Sequence, residues 1–227
     1  MLTRVENDPV SFHSVFSQIP NSGELNSKAP LNEFSYKRGS EIYGEKEPTD
    51  YVYQIKHGAV RSYKLLCDGR RQIGAFHLTG DIFGLENGVE HRFTAEAIVD
   101  TTVSLIKRRS LETIAENSNL VARKLLNMTT NNLQHAEDHM LLLGRKTALE
   151  RVVTFLIEMD KRLTAVDVII LPMCRRDIAD YLGLTLETVS RALSRLHKLG
   201  VLGFLGKSQR QIVLLDRRQL TALDLQN

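Results

Sequence analysis

Between Cys174 and His197 the apolar positions follow two helical patterns, separated by the short stretch Gly183-Leu184-Thr185. Within each pattern the apolar residues recur three or four positions apart, as along one face of a helix: Ile178, Ala179 and Leu182 in the first, and Val189, Leu193 and Leu196 in the second. The short break leaves room only for a tight corner, in which Thr185 is a candidate N-cap for the second helix. The pattern therefore predicts a helix-turn-helix, with its two helices packed through these apolar faces.

Polar side chains occupy another face of the second helix. Glu187, Ser190, Arg191 and Ser194 recur at i, i+3, i+4 and i+7, which places them along one stripe. In helix-turn-helix proteins the second helix enters the major groove of DNA and presents such a stripe to the base edges. The sequence therefore predicts a sequence-specific DNA-binding regulator.

Short β-rich segments separated by glycines dominate residues 31–110. The clearest of these segments have the composition of strands: Tyr51–Ile55, Ala59–Leu66, Gln72–Phe76 and Thr101–Ile106. Asp68-Gly69, between two of them, indicates a hairpin turn. Many short strands at regular spacing predict an antiparallel β-roll or small barrel, preceded by a polar, proline-containing leader at residues 1–30.

Residues 111–144 change to a helical pattern that contains neither glycine nor proline before Gly144. A heptad pattern runs through this segment, with Leu126, Leu133 and Met140 seven residues apart and Thr129, Ala136 and Leu143 at the alternate positions. One interpretation is a helix that pairs with a second copy of itself, and the other is a helix that packs on its own β-roll. A two-fold symmetric DNA-binding protein needs a dimer axis, which favours the first.

The last segment, residues 145–227, predicts a winged helix-turn-helix domain. Ala148–Leu163 has an amphipathic helical pattern, and Val166–Leu171 is a β-branched run. Gly203–Leu215 has the pattern of a hairpin with a basic turn, which would form the wing. Cations and hydroxyls around the motif are expected to contact DNA phosphates: Arg175, Thr185, Thr188, Arg195, Lys207 and Arg210. With the β-roll, this domain makes the fold class α+β.

The charge distribution supports this interpretation. The chain of 227 residues has a formal net charge of +3. Residues 145–227 contain 14 Lys and Arg against 9 Asp and Glu, a net +5, whereas residues 1–144 contain 16 against 18, a net −2. The basic excess therefore surrounds the helix-turn-helix, as contact with phosphates requires.

Other classes of protein are not indicated. No apolar run approaches the ~20 residues of a membrane span, and Met1–Ser22 is too polar for a signal peptide, so a cytoplasmic location is expected. Two cysteines, Cys67 and Cys174, cannot form a disulfide framework. The chain has no glycine-rich phosphate loop, nucleophile elbow or metal-spaced His/Cys cluster, so an enzyme is not expected. A module that contacts only proteins would not need the stripe of Glu187, Ser190 and Arg191.

The segment Arg176–Arg191 closely resembles the recognition segment of the Crp/Fnr transcription regulators, in particular of their Fnr and FixK branch. The likeness extends over residues 31–215, and Gly80-Asp81 and Phe83-Gly84 lie where family members carry a glycine-rich turn. It implies a cyclic-nucleotide-binding-like roll, a homodimer joined by the long helix, and RNA polymerase as a partner. It also implies activation of genes for microaerobic or anaerobic respiration or for nitrogen fixation.

The family's Glu-x-x-Ser-Arg pattern matches Glu187, Ser190 and Arg191. An arginine can donate two hydrogen bonds to guanine O6 and N7, and a carboxylate can accept one from the cytosine amino group. Leu186 offers an apolar contact, for example to a thymine methyl group, and Ser190 a small hydroxyl. The resemblance therefore implies a palindromic double-stranded DNA operator of the type TTGAT-N4-ATCAA. The alternative is an ordinary surface salt bridge between Glu187 and Arg191, which would contribute little.

The sensor half lacks the residues with which family members bind their ligands. Nucleotide-binding members place a carboxylate directly after the Phe-Gly pair, whereas here Leu85 follows Phe83-Gly84, and only Arg92-Phe93 is near the expected Arg-Ser/Thr. Iron–sulfur members use four cysteines, and this chain has two. No cofactor and no metal are therefore expected. The alternative is a ligand- or haem-responsive regulator acting as a repressor, for which the candidate ligands are His57, His77 and His91.

Cys174 stands where family members usually carry the Ser or Thr that caps the first helix of the motif. A helix N-terminus and the adjacent Arg175 and Arg176 favour a reactive thiolate. One hypothesis is that oxidation of Cys174 weakens operator binding, and the alternative is a small cap residue without a regulatory role. Cys67, in a strand before the Asp68-Gly69 turn, is expected to be structural.

Overall fold

The computed structural model describes residues 33–163, 168–206 and 209–224, so the leader predicted at residues 1–30 lies outside the described part of the chain. Eight short strands come first: β1 Glu33–Tyr36, β2 Glu41–Tyr43, β3 Tyr51–His57, β4 Ala59–Leu65, β5 Arg71–Leu78, β6 Ile82–Phe83, β7 Thr94–Ala97 and β8 Thr101–Lys107. They form two antiparallel four-stranded sheets, in the orders β1-β8-β3-β6 and β2-β7-β4-β5. The predicted β-roll is confirmed, and the strands expected from the sequence correspond to β3, β4, β5 and β8.

Two glycines allow turns that the roll requires. Gly69 adopts a φ of 80°, and its N–H donates to Leu66 O (2.9 Å), which closes the hairpin predicted between β4 and β5. Gly58, between β3 and β4, has a φ of 101°, and a Cβ there would lie only 2.4 Å from Thr101 Oγ1. Only glycine allows β8 to approach so closely at this point.

Two helices follow the roll, so the prediction of a single helix over residues 111–144 is wrong in this respect. They are α1 (Arg108–Asn117) and α2 (Asn119–Arg145), and Ser118 between them is extended, with φ −139° and ψ 103°. Both helices contribute to one apolar cluster at the end of the roll: Val52, Ile106, Leu111 and Val121. In a straight helix the last two would lie about 15 Å apart along the axis, so the break lets both reach the cluster.

The C-terminal part is a winged helix-turn-helix, as predicted. Its elements are α3 Ala148–Arg162, β9 Val168–Ile170, α4 Arg175–Leu182, α5 Leu186–Lys198, β10 Leu202–Leu205, β11 Gln211–Leu214 and α6 Arg217–Asp224. The strands form an antiparallel sheet in the order β10-β11-β9. The predicted hairpin is β10 and β11, although residues 207–208 at its turn lie outside the described chain.

The roll and the C-terminal part share buried contacts. One apolar cluster includes Phe76 of β5 together with Phe155 of α3 and Tyr181 of α4, and the rings of Phe76 and Tyr181 are 5.1 Å apart. The guanidinium of Arg151 in α3 donates to three carbonyl oxygens at 2.8–3.0 Å: those of Leu143, Lys146 and Leu182. The ends of α2 and α4 are therefore fastened to the same side chain.

Candidate nucleic-acid interface

Local conformation makes the corner between α4 and α5. Gly183 ends α4 in the left-handed conformation (φ 62°), and Leu184 N–H donates to Ala179 O (3.0 Å). Thr185 Oγ1 accepts a hydrogen bond from Thr188 N–H (3.2 Å), which confirms Thr185 as the N-cap of α5. The starting point of α5, and therefore the direction of each of its side chains, is set by these contacts.

The two faces of α5 have opposite environments. Its apolar face is buried against the rest of the domain: Val189, Ala192, Leu193 and Leu196. On the other side a shallow surface groove is lined by Ser190, Arg191, Ser194, Arg195 and Lys198. The three cations in this groove give it the charge that a DNA backbone or a guanine edge attracts.

Glu187 is exposed in the first turn of α5 and ready to accept hydrogen bonds. Hydrogen bonds from its own backbone N–H and from Thr185, together with the charges of Arg176 and Arg191, hold the pKa of its carboxyl below the usual value. Glu187 is therefore ionised at neutral pH. Among the described residues, Glu187 and Arg191 do not form an ion pair with each other, although the charge of Arg191 helps to lower the pKa of Glu187. The structure therefore does not contain the surface salt bridge that was the alternative interpretation. Leu186, the first residue of α5, is half-buried.

Arg175, for which a phosphate contact is predicted, also has partners within the domain. Its guanidinium donates to Ser190 Oγ (3.3 Å) and to the side-chain oxygen of Gln209. It also lies over the ring of Phe204, 5.7 Å from the ring centre. Because these partners are 15 to 34 residues away along the chain, the sequence did not indicate the contacts. Arg175 links the start of α4 to α5, to β10 and to the segment before β11, which directs its side chain into the domain.

The other residues expected at phosphates lie around α5 and the wing. The hydroxyls of Thr185 and Thr188 are 3.0 Å apart at the N-terminus of α5. Arg195 is exposed on α5, and Arg210 is half-buried just before β11. Lys207 lies outside the described residues.

Aromatic rings fill the interior of the roll. The rings of His91 and Tyr43 stack at 3.5 Å, those of Tyr43 and Tyr53 are 5.3 Å apart, and Phe83 lies 5.1 Å from Tyr53. His77 continues the series at 5.0 Å from Phe83. Burial raises the pKa of both tyrosine hydroxyls, which stay neutral. The space between the two sheets at this point is therefore occupied by the protein's own side chains.

The three histidines considered as haem ligands lie in different environments. His77 shares a hydrogen bond with Ser62 Oγ (2.9 Å), and burial lowers its pKa to about 4. His91 is 2% exposed, whereas His57 lies on the surface. Glu86 accepts a hydrogen bond from the Arg92 backbone N–H (2.6 Å) within its own loop. Over the described ranges, His, Cys, Asp and Glu side chains do not gather in groups of three that could hold a metal ion.

Helix α2 exposes most of its heptad positions. Leu126, Leu133 and Met140 are 65%, 58% and 66% exposed, and Thr129 and Ala136 between them are also exposed. We call these five residues the α2 seam. The sixth predicted position, Leu143, differs because it is half-buried against the chain's own core. The seam therefore does not pack on its own roll, which was the alternative interpretation.

Cys174 lies at the N-cap position of α4, as expected from the sequence, but its contact with Asp177 was not expected. Its thiol donates to Asp177 Oδ2 (3.1 Å), and its backbone N–H donates to the same oxygen (3.1 Å). Cys67 is exposed in the turn after β4, so its predicted structural role within a strand is wrong.

A β-roll, a long helix with an exposed apolar seam and a winged helix-turn-helix with a polar outer face together define a DNA-binding transcription regulator. Residues 33–118 match the family model of the cyclic nucleotide-binding domain, and residues 150–223 match that of the Crp-like helix-turn-helix domain. The chain belongs to the Crp/Fnr family of transcription regulators.

Several relatives lie in the branch expected from the recognition segment. The chain is 42% identical to the nitrogen fixation regulation protein FixK of Rhizobium meliloti, over 79% of this chain and 82% of that protein. It is 32% identical to the transcriptional activator protein Anr of Pseudomonas protegens, over 82% and 78%. The solved structure of FixK2 from Bradyrhizobium japonicum is 66% identical and superposes with a TM-score of 0.82, over 86% of this chain and 98% of that one. The resemblance to the FixK branch is confirmed.

None of the described helices is both long enough and apolar enough to cross a bilayer.

Proposed function

We propose that this protein is a homodimeric activator that binds a palindrome of the type TTGAT-N4-ATCAA. The observation that carries the proposal is the outer face of α5, where Glu187, Ser190 and Arg191 stand on a helix whose other face is buried. The names of the FixK and Anr relatives support control of nitrogen fixation or of microaerobic and anaerobic respiration. An activator of this kind works in the cytoplasm with RNA polymerase as its partner.

Each residue on this face has a role in the proposal. Arg191 donates to guanine O6 and N7, Glu187 accepts from a cytosine amino group, Leu186 contacts a thymine methyl and Ser190 contributes its hydroxyl. The phosphate contacts come from residues around the helix-turn-helix and the wing: Arg175, Thr185, Thr188, Arg195, Lys207 and Arg210. Arg175 also supports Ser190 and the wing from within the domain.

The dimer forms through the α2 seam. Three large apolar side chains seven residues apart, each more than half exposed, are what a parallel helix pair buries. A two-fold dimer presents two α5 helices to a palindrome, as the proposed operator requires. The division into a roll (31–110), a dimerisation segment (111–144) and a DNA-binding domain (145–227) is part of this proposal.

The roll acts without a small ligand. The series of rings from His91 to His77 supports this, because a nucleotide or a haem would have to displace packed aromatic side chains. No contact among the described residues of the roll favours a ligand- or haem-responsive repressor over a ligand-independent activator.

The proposed function is tested by titrating a fluorescent TTGAT-N4-ATCAA duplex with the purified protein and measuring anisotropy. We expect the palindrome to bind at least about 10³-fold more tightly than a shuffled duplex at physiological salt, which is the lower end for specific binders. A protein that binds both duplexes equally would contradict the proposal.

Oxidation of Cys174 is expected to weaken operator binding. Peroxide converts a thiol to a sulfenic acid with release of water, and a second equivalent gives the anionic sulfinic acid. Either product removes the S–H donor of Asp177, and the second places an anion beside that carboxylate and near DNA phosphates. About a tenfold loss of affinity corresponds to ~1.4 kcal/mol, the order of one such repulsion near a surface.

The operator titration is repeated after peroxide treatment of the parent, Cys174→Ser and Cys67→Ser proteins. Cys67→Ser is the matched control because Cys67 is an exposed free cysteine in the turn of the roll hairpin. We expect this control to lose affinity like the parent, and Cys174→Ser to keep it. If Cys174→Ser loses binding as fully as the parent, Cys174 is only a helix cap.

A further inference from the structure

Two arginines of the β-roll bind two aspartates of the helix-turn-helix. Arg61 of β4 and Arg71 of β5 both donate to Asp177 Oδ1, at 2.7 and 2.6 Å. Arg71 also donates to Asp180 Oδ2 through two nitrogens, at 2.7 and 2.9 Å. Both aspartates belong to α4, the helix on which the recognition helix α5 packs. We call these four residues the roll–α4 clamp.

The clamp is shielded from water. The side chain of Asp177 is 3% exposed, and those of Arg61, Arg71 and Asp180 are 14%, 19% and 22% exposed. Separating such partners leaves buried charges without compensation, which costs more than the pair contributes when it is formed. The clamp therefore strongly favours the one arrangement of roll and α4 in which all four groups meet.

Further contacts hold each arginine in place. Arg61 also donates to Glu96 of β7 (2.6 Å), and both guanidinium groups lie over the ring of Tyr63, at 5.9 and 5.5 Å. Burial by itself would raise the pKa of Asp177, but hydrogen bonds from Cys174 and the charges of the two arginines hold it below its usual value. Asp177 is therefore a charged partner at neutral pH.

The clamp affects the orientation of α5 because it holds α4, the helix on which α5 packs. The chain passes from α2 to α3 through only Lys146 and Thr147, and Arg151 fastens this side of the domain. A domain held there alone could rotate about the short link. The clamp adds to the apolar cluster around Phe76 and Tyr181 and to the ion pair between Arg162 and Asp81 (2.6 Å). It lies on the helix that supports α5, so it contributes to the angle between α5 and the α2 seam.

We infer that the roll–α4 clamp makes the protein select the spacing between the two half-sites of its operator. This inference rests on the proposed function, in which two α5 helices enter successive major grooves across a two-fold axis. One extra base pair between the half-sites moves them apart by ~3.4 Å and rotates them by about 35°. A dimer whose DNA-binding domains are clamped does not follow this change, whereas released domains do. The four clamp residues are positioning residues that contact no DNA themselves.

The test compares operators with 3, 4 and 5 base pairs between TTGAT and ATCAA. We expect the parent to favour its best spacing at least about tenfold, as for one mismatched base pair. Arg71→Glu places a negative charge against both aspartates and should reduce this ratio to about threefold or less. Combining it with Asp180→Arg restores the pair with residue 180 but not the one with Asp177, so the double variant should regain part of the ratio. Arg70→Glu is the matched control, because the neighbouring Arg70 is 77% exposed and, within the part of the chain that the structure describes, forms its ion pair with Asp68 in its own turn.

The outcomes separate this inference from the proposed function. If the parent prefers no spacing and no sequence, the proposed function itself is wrong. If the parent selects one spacing and folded Arg71→Glu keeps the same ratio, the clamp does not set spacing. A role in stability alone would lower all three affinities by one factor and leave the ratio unchanged, which would also overturn the inference. If circular dichroism shows that Arg71→Glu is unfolded, the test is repeated with Asp180→Asn, which alters the most exposed clamp residue. A folded Asp180→Asn protein that keeps the parent's spacing preference would overturn the inference, and one with a reduced preference would support it.

Discussion

Replacing Arg191 with alanine is expected to remove most of the preference of the protein for its operator. One bidentate arginine–guanine contact is worth ~1–3 kcal/mol, and a dimer makes two of them, so operator affinity should fall by roughly 30-fold to 10⁴-fold. Binding to random DNA should persist, because the phosphate contacts remain. Anisotropy titrations measure this with the TTGAT palindrome and with a TTAAT palindrome that lacks the guanine. The parent should distinguish the two duplexes strongly, and Arg191→Ala should lose most of this difference, with only the contact between Glu187 and the cytosine amino group left to distinguish them.

The matched control for Arg191→Ala is Arg195→Ala. Arg195 carries the same charge one turn further along α5, is exposed, and lines the same groove. Its loss should weaken binding to both duplexes alike and reduce the salt dependence by about one phosphate contact. Lys207→Ala should behave in the same way as Arg195→Ala. Equal loss of discrimination from Arg191→Ala and Arg195→Ala would contradict the roles assigned to these residues.

Replacing Leu133 with aspartate is expected to convert the dimer into a monomer. Leu133 is the middle of the three large residues of the α2 seam, so two aspartates would face each other across the axis in a largely apolar contact. A monomer engages one half-site at a time, and the loss of the second should cost about 10²- to 10⁴-fold in operator affinity. Sedimentation velocity measures the oligomeric state, and the same titration measures the affinity.

Leu141→Asp is the matched control for Leu133→Asp. Leu141 lies on the same helix and is 58% exposed, as is Leu133, but it stands one position outside the heptad spacing. We expect Leu141→Asp to remain a dimer and to bind the operator like the parent. If Leu133→Asp stays dimeric, or if both variants dissociate equally, the α2 seam is not the dimer interface.

The parts of the fold that the sequence predicted correctly depend on neighbours along the chain. The helix-turn-helix follows from the apolar spacing within α4 and α5. The N-cap follows from the Thr185 hydroxyl, which accepts a hydrogen bond from an N–H three residues further along the chain. The hairpin at Asp68-Gly69 follows from a glycine with positive φ. Such features are determined over a few residues, and the same applies to the stripe of Glu187, Ser190 and Arg191.

The features that the sequence did not predict involve contacts between distant segments. The break at Ser118 is explained by a cluster that α1 and α2 share with the end of the roll, and the heptad pattern carries no sign of it. The pattern around Arg175 carries no sign that Ser190, Gln209 and Phe204 surround its guanidinium. Leu143 fits the heptad and is nevertheless half-buried in the chain's own core.

The sequence alone determined which surfaces this protein presents: an acid and a guanidinium on α5, and apolar side chains every seventh residue of α2. Periodicity is sufficient for this, because a helix converts spacing into direction. Only the tertiary structure decided how these surfaces are held relative to each other. Arg61 and Asp177 are 116 residues apart in the chain, and ordinary surface charges elsewhere in the sequence look no different. Their pairing exists only because the fold brings β4 against α4 and excludes water from the contact.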